Sequence, residues 1–293
     1  MASIHQLGHR HSAHNPVGDL AAEHPGAVKI GRAGWFAKGA VYAIAGVLAL
    51  SIAAKASGWA NASSSTGNQE ASPTGAVKTI AGSSGGTVLL WLLALGMLLY
   101  AAWRVVSALL PGGKDAEAMV RRIGYLVSAV VYATFAITAI ALARHTPKAQ
   151  DGNQKVTDIS ASIMKHSFGR VLIGAVGVVI IAVGLYRIYK GLQMDVNDEL
   201  DLSGVAPERA RWTKRLGAIG EIGRGIGFAL VGFFMLRSAM TYDVNQATGL
   251  DGALRRVAVH SWGLVLVLIV GIGFVAYGIF CLTTFNHRRL QAP

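Results

Sequence analysis

The sequence predicts an all-α integral membrane protein: six transmembrane helices forming three parallel two-helix repeats with pseudo-threefold symmetry, both termini cytoplasmic. Three observations predict it. Hydrophobic residues make up 53% of the 293 positions and charged residues 14%, where a soluble domain carries about 25% charged residues. Six apolar runs come close to the ~20 residues that a bilayer-crossing helix needs. Short motifs also recur three times along the chain, which points to internal repetition.

The runs cover residues 35–54, 87–110, 123–143, 171–192, 222–240 and 264–285. Six buried helices of this length would leave a soluble chain of this size almost no polar surface. Gly is abundant (36) and Pro scarce (7), as expected where small residues let helices approach closely. Residues 1–30 are polar and His-rich, without the apolar core of a secretory signal. Their His spacing fits no defined metal site, so they read as a disordered tail. The single Cys, Cys281, excludes an intrachain disulfide and lies in an apolar run, where it reads as packing.

Orientation follows from Lys and Arg, which accumulate on the cytoplasmic side. Seventeen of the 27 lie on one side, in the segment before the first run, between the second and third, between the fourth and fifth, or after the sixth, or within the run ends that adjoin these segments. That bias places both termini in the cytoplasm. The net charge of +12 is spread between apolar runs rather than gathered in one patch, so nucleic acid is not an expected partner. The expected partners are the bilayer, including its anionic lipids, and a membrane protein complex.

The repeats are read from two motifs. HSFGRVLI (166–173) and HSWGLVLV (260–267) are near copies, and SSGGTVLL (83–90) is a weaker third. Each precedes an even-numbered run. Fourteen residues beyond Gly86, Gly169 and Gly263 stand Tyr100, Val183 and Tyr277. In the odd-numbered runs, Gly39, Ala129 and Gly225 are each followed by an aromatic at +3 (Tyr42, Tyr132, Phe228) and a small residue at +7 (Gly46, Ala136, Gly232). Seven residues are about two helical turns, so both small residues share a face suited to close packing. Five residues earlier stand Gly34, Gly124 and Gly220.

The resulting division is 31–112 for the first repeat, 118–194 for the second and 216–286 for the third. A cytoplasmic linker with a basic amphipathic helix occupies 195–215. An even number of helices per repeat unit lets all three copies enter the membrane in the same direction, around an axis along its normal. The segments GAVKTIAG (75–82), DISASIMK (158–165) and GALRRVAV (252–259) would form short helices on the outer surface.

The stretches RAGWFAKGAVYAIAGVLAL (32–50), YLVSAVVYATFAI (125–137), GLYR (184–187) and YGIF (277–280) resemble the DUF1206 family. That resemblance implies a bacterial, mostly actinobacterial, membrane protein of three two-helix units over residues 28–286. It supplies no activity, cofactor or site residue.

No catalytic signature is present: no GxSxG, HExxH, Walker loop or CxxC. GRGIG (223–227) lacks the preceding strand that a phosphate loop requires. Ionisable residues near or inside a span are candidates for function by default. Here they are Lys38, Arg104, Arg187, Glu221, Arg224 and Arg237. The first reading of the cations is snorkelling or lipid and anion contact from near the span ends, with Glu221 pairing Arg224 at i,i+3. Lys38 and Arg224 occupy equivalent repeat positions, with Ser128 between them. His166 and His260 are equivalent outer-face positions, read as turn caps rather than a metal pair. No catalytic, cofactor or metal site is assigned. The chain is read as non-enzymatic, an accessory or scaffolding subunit of a cytoplasmic-membrane complex. The alternative is an anion or small-solute channel or transporter with its path near the threefold axis.

Overall fold

A computed structural model describes residues 25–59, 69–109, 116–144, 152–166, 168–194 and 206–284. Those residues form helices and connecting turns, with no strand among them. Nine α-helices follow in order among them: α1 (Pro25–Ala56), α2 (Pro73–Ala81), α3 (Gly86–Leu109), α4 (Ala116–Ala143), α5 (Gly152–Met164), α6 (Gly169–Leu192), α7 (Pro207–Thr241), α8 (Leu250–Ala258) and α9 (Ser261–Thr284). The six long ones, α1, α3, α4, α6, α7 and α9, are long and apolar enough to cross a membrane. They mark a multi-pass membrane protein.

Two expected boundaries shift. The tail was expected to reach residue 30, but Pro25–Ile30 already belong to α1. Pro is well tolerated in the first helical turn, where its missing N–H costs nothing. Residues 1–24, with five of the His, lie outside the described residues. The basic helix expected at 207–215 is not separate either, because α7 runs unbroken from Pro207 to Thr241. Gly217 and Gly220 weaken this junction by only about 1 kcal/mol each, and no Pro interrupts it. The linker residues 195–205 lie outside the described residues.

The long helices form an arc in the order α4, α3, α1, α9, α7, α6, in which each packs against the next. The closest packing joins α6 to α7, α9 to α1 and α3 to α4. These pairs belong to successive hairpins, not to one hairpin. Glycines explain it. Gly177 and Gly184 of α6 meet the backbone of Gly232 and Gly225 of α7, and a Cβ added at Gly184 would lie 2.7 Å from the Gly225 carbonyl oxygen. Gly39 and Gly46 of α1 likewise lie against Gly278 and Gly271 of α9. The small residues seven apart therefore share a packing face as expected, directed at the neighbouring hairpin.

The triplicated turn also has a physical cause. The N–H groups of Ser83, His166 and His260 donate to Ile80, Ile163 and Val257 carbonyls at 3.1, 3.1 and 3.0 Å. The N–H groups of Gly86, Gly169 and Gly263 then donate to the carbonyls of Ser83, His166 and His260 at 2.8, 2.8 and 2.9 Å. A Cβ at any of these three glycines would overlap the Ile80, Ile163 or Val257 carbonyl oxygen. Only glycine lets the chain fold back from short helix to long helix this tightly.

The short helices α2, α5 and α8 gather at one end of the arc. Asp251, 5% exposed, ties them. Its carboxylate accepts from the Ala71 N–H at 2.8 Å, from Asn153 Nδ2 at 3.0 Å and from Arg255 Nε at 3.0 Å. Arg255 also donates to the Gln69 carbonyl at 2.7 Å. Below this cap, Val77, Leu254, Leu48, Leu90, Val267 and Val270 are buried in one apolar core.

Candidate functional site

At the opposite end of the arc the core changes character. Lys38 lies early in α1, where the run from Trp35 to Tyr42 turns cation and aromatics toward the inside. Its residue is 5% exposed. Its Nζ faces four rings, at 4.6 Å from the Trp35 centroid, 5.1 Å from Tyr277, 5.6 Å from Tyr100 and 5.7 Å from Tyr132. The rings come from α1, α9, α3 and α4. They brace one another edge to face, Tyr100 on Tyr132 at 4.5 Å and Tyr42 on Tyr277 at 5.0 Å.

Arg224 of α7 is equally buried. Its guanidinium carbon lies 4.0 Å from the Tyr277 centroid and 5.1 Å from that of Tyr42. Its Nη1 donates to Glu221 Oε1 at 2.8 Å. Arg187 of α6 donates to the other oxygen of the same carboxylate at 2.7 Å, so Glu221 is shared between two guanidinium groups. The Nε atoms of both Arg187 and Arg224 are buried without a hydrogen-bond partner among the described residues. Arg104 of α3 donates to the Tyr100 hydroxyl at 2.6 Å and stacks by Tyr125.

The electrostatics are one-sided. Lys38, Arg104, Arg187 and Arg224 bring four positive charges, and Glu221 is the carboxylate that meets them among the described residues. The Lys38 ammonium has three donors but no hydrogen-bond acceptor among the described residues. Cation–π contacts of ~2 kcal/mol when desolvated only partly offset the cost of burying a charge. The arrangement can hold an anion.

Several expectations meet this geometry. The i,i+3 pair of Glu221 and Arg224 is present. Lys38 and Arg224 do not snorkel: both are 5% exposed, with rings of four helices around Lys38 and rings of α1 and α9 against Arg224. Arg237 is exposed on α7. His166 and His260 are exposed and sit on separate turns. The His166 Nδ1 lies 3.2 Å from the Ser162 carbonyl, and the His260 ring stacks obliquely on Trp262 at 5.4 Å. It is their backbone that closes each turn. Among the described residues no group of three or more His, Cys, Asp or Glu could hold a metal.

Two features were missed in the sequence. The aromatic at +3 read as helix packing, yet Tyr42 and Tyr132 wall the cationic centre. Asp251 lies one residue before the outer segment 252–259 and was not singled out, although its i,i+4 spacing to Arg255 was a visible signal.

The family model for a Domain of Unknown Function, DUF1206, matches residues 33–110, 123–193 and 219–284. The chain belongs to the DUF1206 family. Its three matched segments hold α1 with α3, α4 with α6, and α7 with α9. The uncharacterized protein YxxB of Bacillus subtilis (strain 168) is 32% identical over 265 residues, covering 89% of this chain and 91% of the relative. The expected actinobacterial association gains no support from a Bacillus relative. No solved structure matches the chain.

Proposed function

We propose that this protein is a non-enzymatic membrane protein that binds and transfers a negatively charged solute or head group at its cationic aromatic centre. One observation carries the reading: Lys38 and Arg224 are buried, both pack on the ring of Tyr277, and outnumber the carboxylate beside them. An uncompensated cation in a low-dielectric site is expensive, and a bound anion removes that cost. The geometry therefore favours the transport alternative over a purely accessory role. The apolar core separates the centre from α2, α5 and α8.

The wider setting is part of the proposal. The three matched segments and the turn made three times support a pseudo-threefold arrangement of hairpins. The Lys and Arg bias supports cytoplasmic termini in a bacterial inner membrane, with the cationic centre toward the cytoplasm. Anionic lipids are then natural neighbours. An accessory role remains the second reading, favoured by the broad apolar outer faces of α4 and α6.

The test is anion efflux from proteoliposomes, compared with Lys38→Met and Arg224→Met. Flux that falls at least tenfold in either variant supports the reading. Flux absent from the parent protein, together with a stoichiometric protein partner in mild-detergent pull-downs, would favour the accessory role.

A further inference from the structure

The arc of long helices does not close. In the outer hairpins the two helices meet through a glycine and a tyrosine. A Cβ at Gly34 would lie 2.6 Å from Tyr100 Cβ, and one at Gly220 would lie 2.7 Å from Tyr277 Cβ. In the middle hairpin the glycine is Gly124, and nothing lies within 4 Å of a Cβ placed there. The residue in the tyrosine position is Val183, which is 42% exposed. Helices α4 and α6 are accordingly not among the packed pairs.

The gap has an apolar wall and a charged end. Val131 lies two turns from Gly124 on α4, and Val176 lies two turns from Val183 on α6, so each pair shares a face. Both valines are exposed. Arg187 follows Val183 by one turn, and its guanidinium leans on Phe228 at 5.5 Å. Across the gap Tyr132 is one of the four rings around Lys38. A ligand entering here would pass hydrocarbon-facing valines and then meet unpartnered guanidinium nitrogens. A small hydrated ion has no reason to take such a route. A molecule with both an acyl chain and a negative head does.

We propose that the opening between α4 and α6 admits an anionic amphiphile, whose chain lies along Val131, Val176 and Val183 and whose phosphate or carboxylate head meets Arg187, Arg224 and Lys38. This rests on the anion-binding reading of the centre and adds the ligand class and its lateral path.

The experiment is calorimetric titration of the full chain in neutral maltoside micelles, with dodecyl phosphate and, separately, inorganic phosphate. Dodecyl phosphate should bind saturably at one per chain. Val183→Trp and Gly124→Leu, both at open positions that leave the fold intact, should weaken it by about tenfold or more while leaving inorganic phosphate unchanged; tenfold is about 1.4 kcal/mol. Lys38→Met and Arg224→Met should weaken both ligands. If the plugging variants leave dodecyl phosphate unaffected while the cation variants weaken it, the head-group site stands and the lateral path falls. If the cation variants leave dodecyl phosphate unaffected, it binds elsewhere and the proposal fails. If neither ligand binds, the anion-binding reading itself fails.

Discussion

Lys38 carries the largest conflict between stability and function in the molecule. Its ammonium is held by ring faces alone, so replacing it with Met removes a buried charge and keeps the stem's packing. Such replacements are often neutral or stabilising by ~1–4 kcal/mol. Lys38→Met should therefore unfold at an equal or higher temperature than the parent while losing anion binding; differential scanning fluorimetry alongside titration checks both. Asp251 is the opposite case. Asp251→Ala would remove the acceptor of the Ala71 N–H, of Asn153 Nδ2 and of Arg255 Nε together, costing about 3 kcal/mol if each loses about 1 kcal/mol. Hydrogen exchange should rise in 69–81 and 152–158 as well as in α8. Asp243 offers a pH effect. Hydrogen bonds from the Gln246 side chain and the Asn245 backbone hold its carboxyl below the ordinary 3.8. A depressed carboxyl contributes stability that is present above its unfolded value and lost as pH falls through the folded one. The exchange protection of 243–246, taken relative to the intrinsic base-catalysed rate, should thus be flat at neutral pH and fall only below about pH 4, and Asp243→Asn should abolish that step.

Among the elements, the turn from short to long helix and the glycine seams decide the architecture. Gly169→Ala or Gly263→Ala would drive a methyl into a backbone carbonyl that cannot move without unwinding α5 or α8. Gly184→Leu would wedge α6 from α7. Each should destabilise by about 1–3 kcal/mol or more, read as a lower unfolding temperature in micelles. Much of this was legible. Six long apolar runs, three short outer helices and the glycines seven apart were all visible, because length and spacing are local properties. The partner of each glycine face was not, since spacing defines a face and not what covers it. The aromatics at +3 were visible for the same reason, and their convergence on Lys38 was not. It requires α1, α3, α4 and α9 to meet, which no local pattern encodes. The gap between α4 and α6 left one faint mark in the sequence, Val183 where the other copies have Tyr.

For the whole molecule, orientation is the most direct property to test. Reporters fused after Pro293 should read as cytoplasmic, and tags placed beside α2 or α8 should be accessible from outside. An outside signal at Pro293 would reverse the assignment and turn the cationic centre toward the exterior. The open arc has a further consequence, for assembly during synthesis. Helices α1, α3 and α4 can associate as soon as they are made, and α6, α7 and α9 form a second trio. The trios meet mainly where α9, the final helix to emerge, reaches back to α1, where Trp35 Nε1 donates to Thr284 Oγ1 at 3.2 Å. Cutting the chain between α4 and α5 severs no packed helix pair. Two co-expressed fragments should therefore recombine into a working protein, whereas a ribosome stalled before α9 would leave two unjoined halves and an unfinished cage around Lys38.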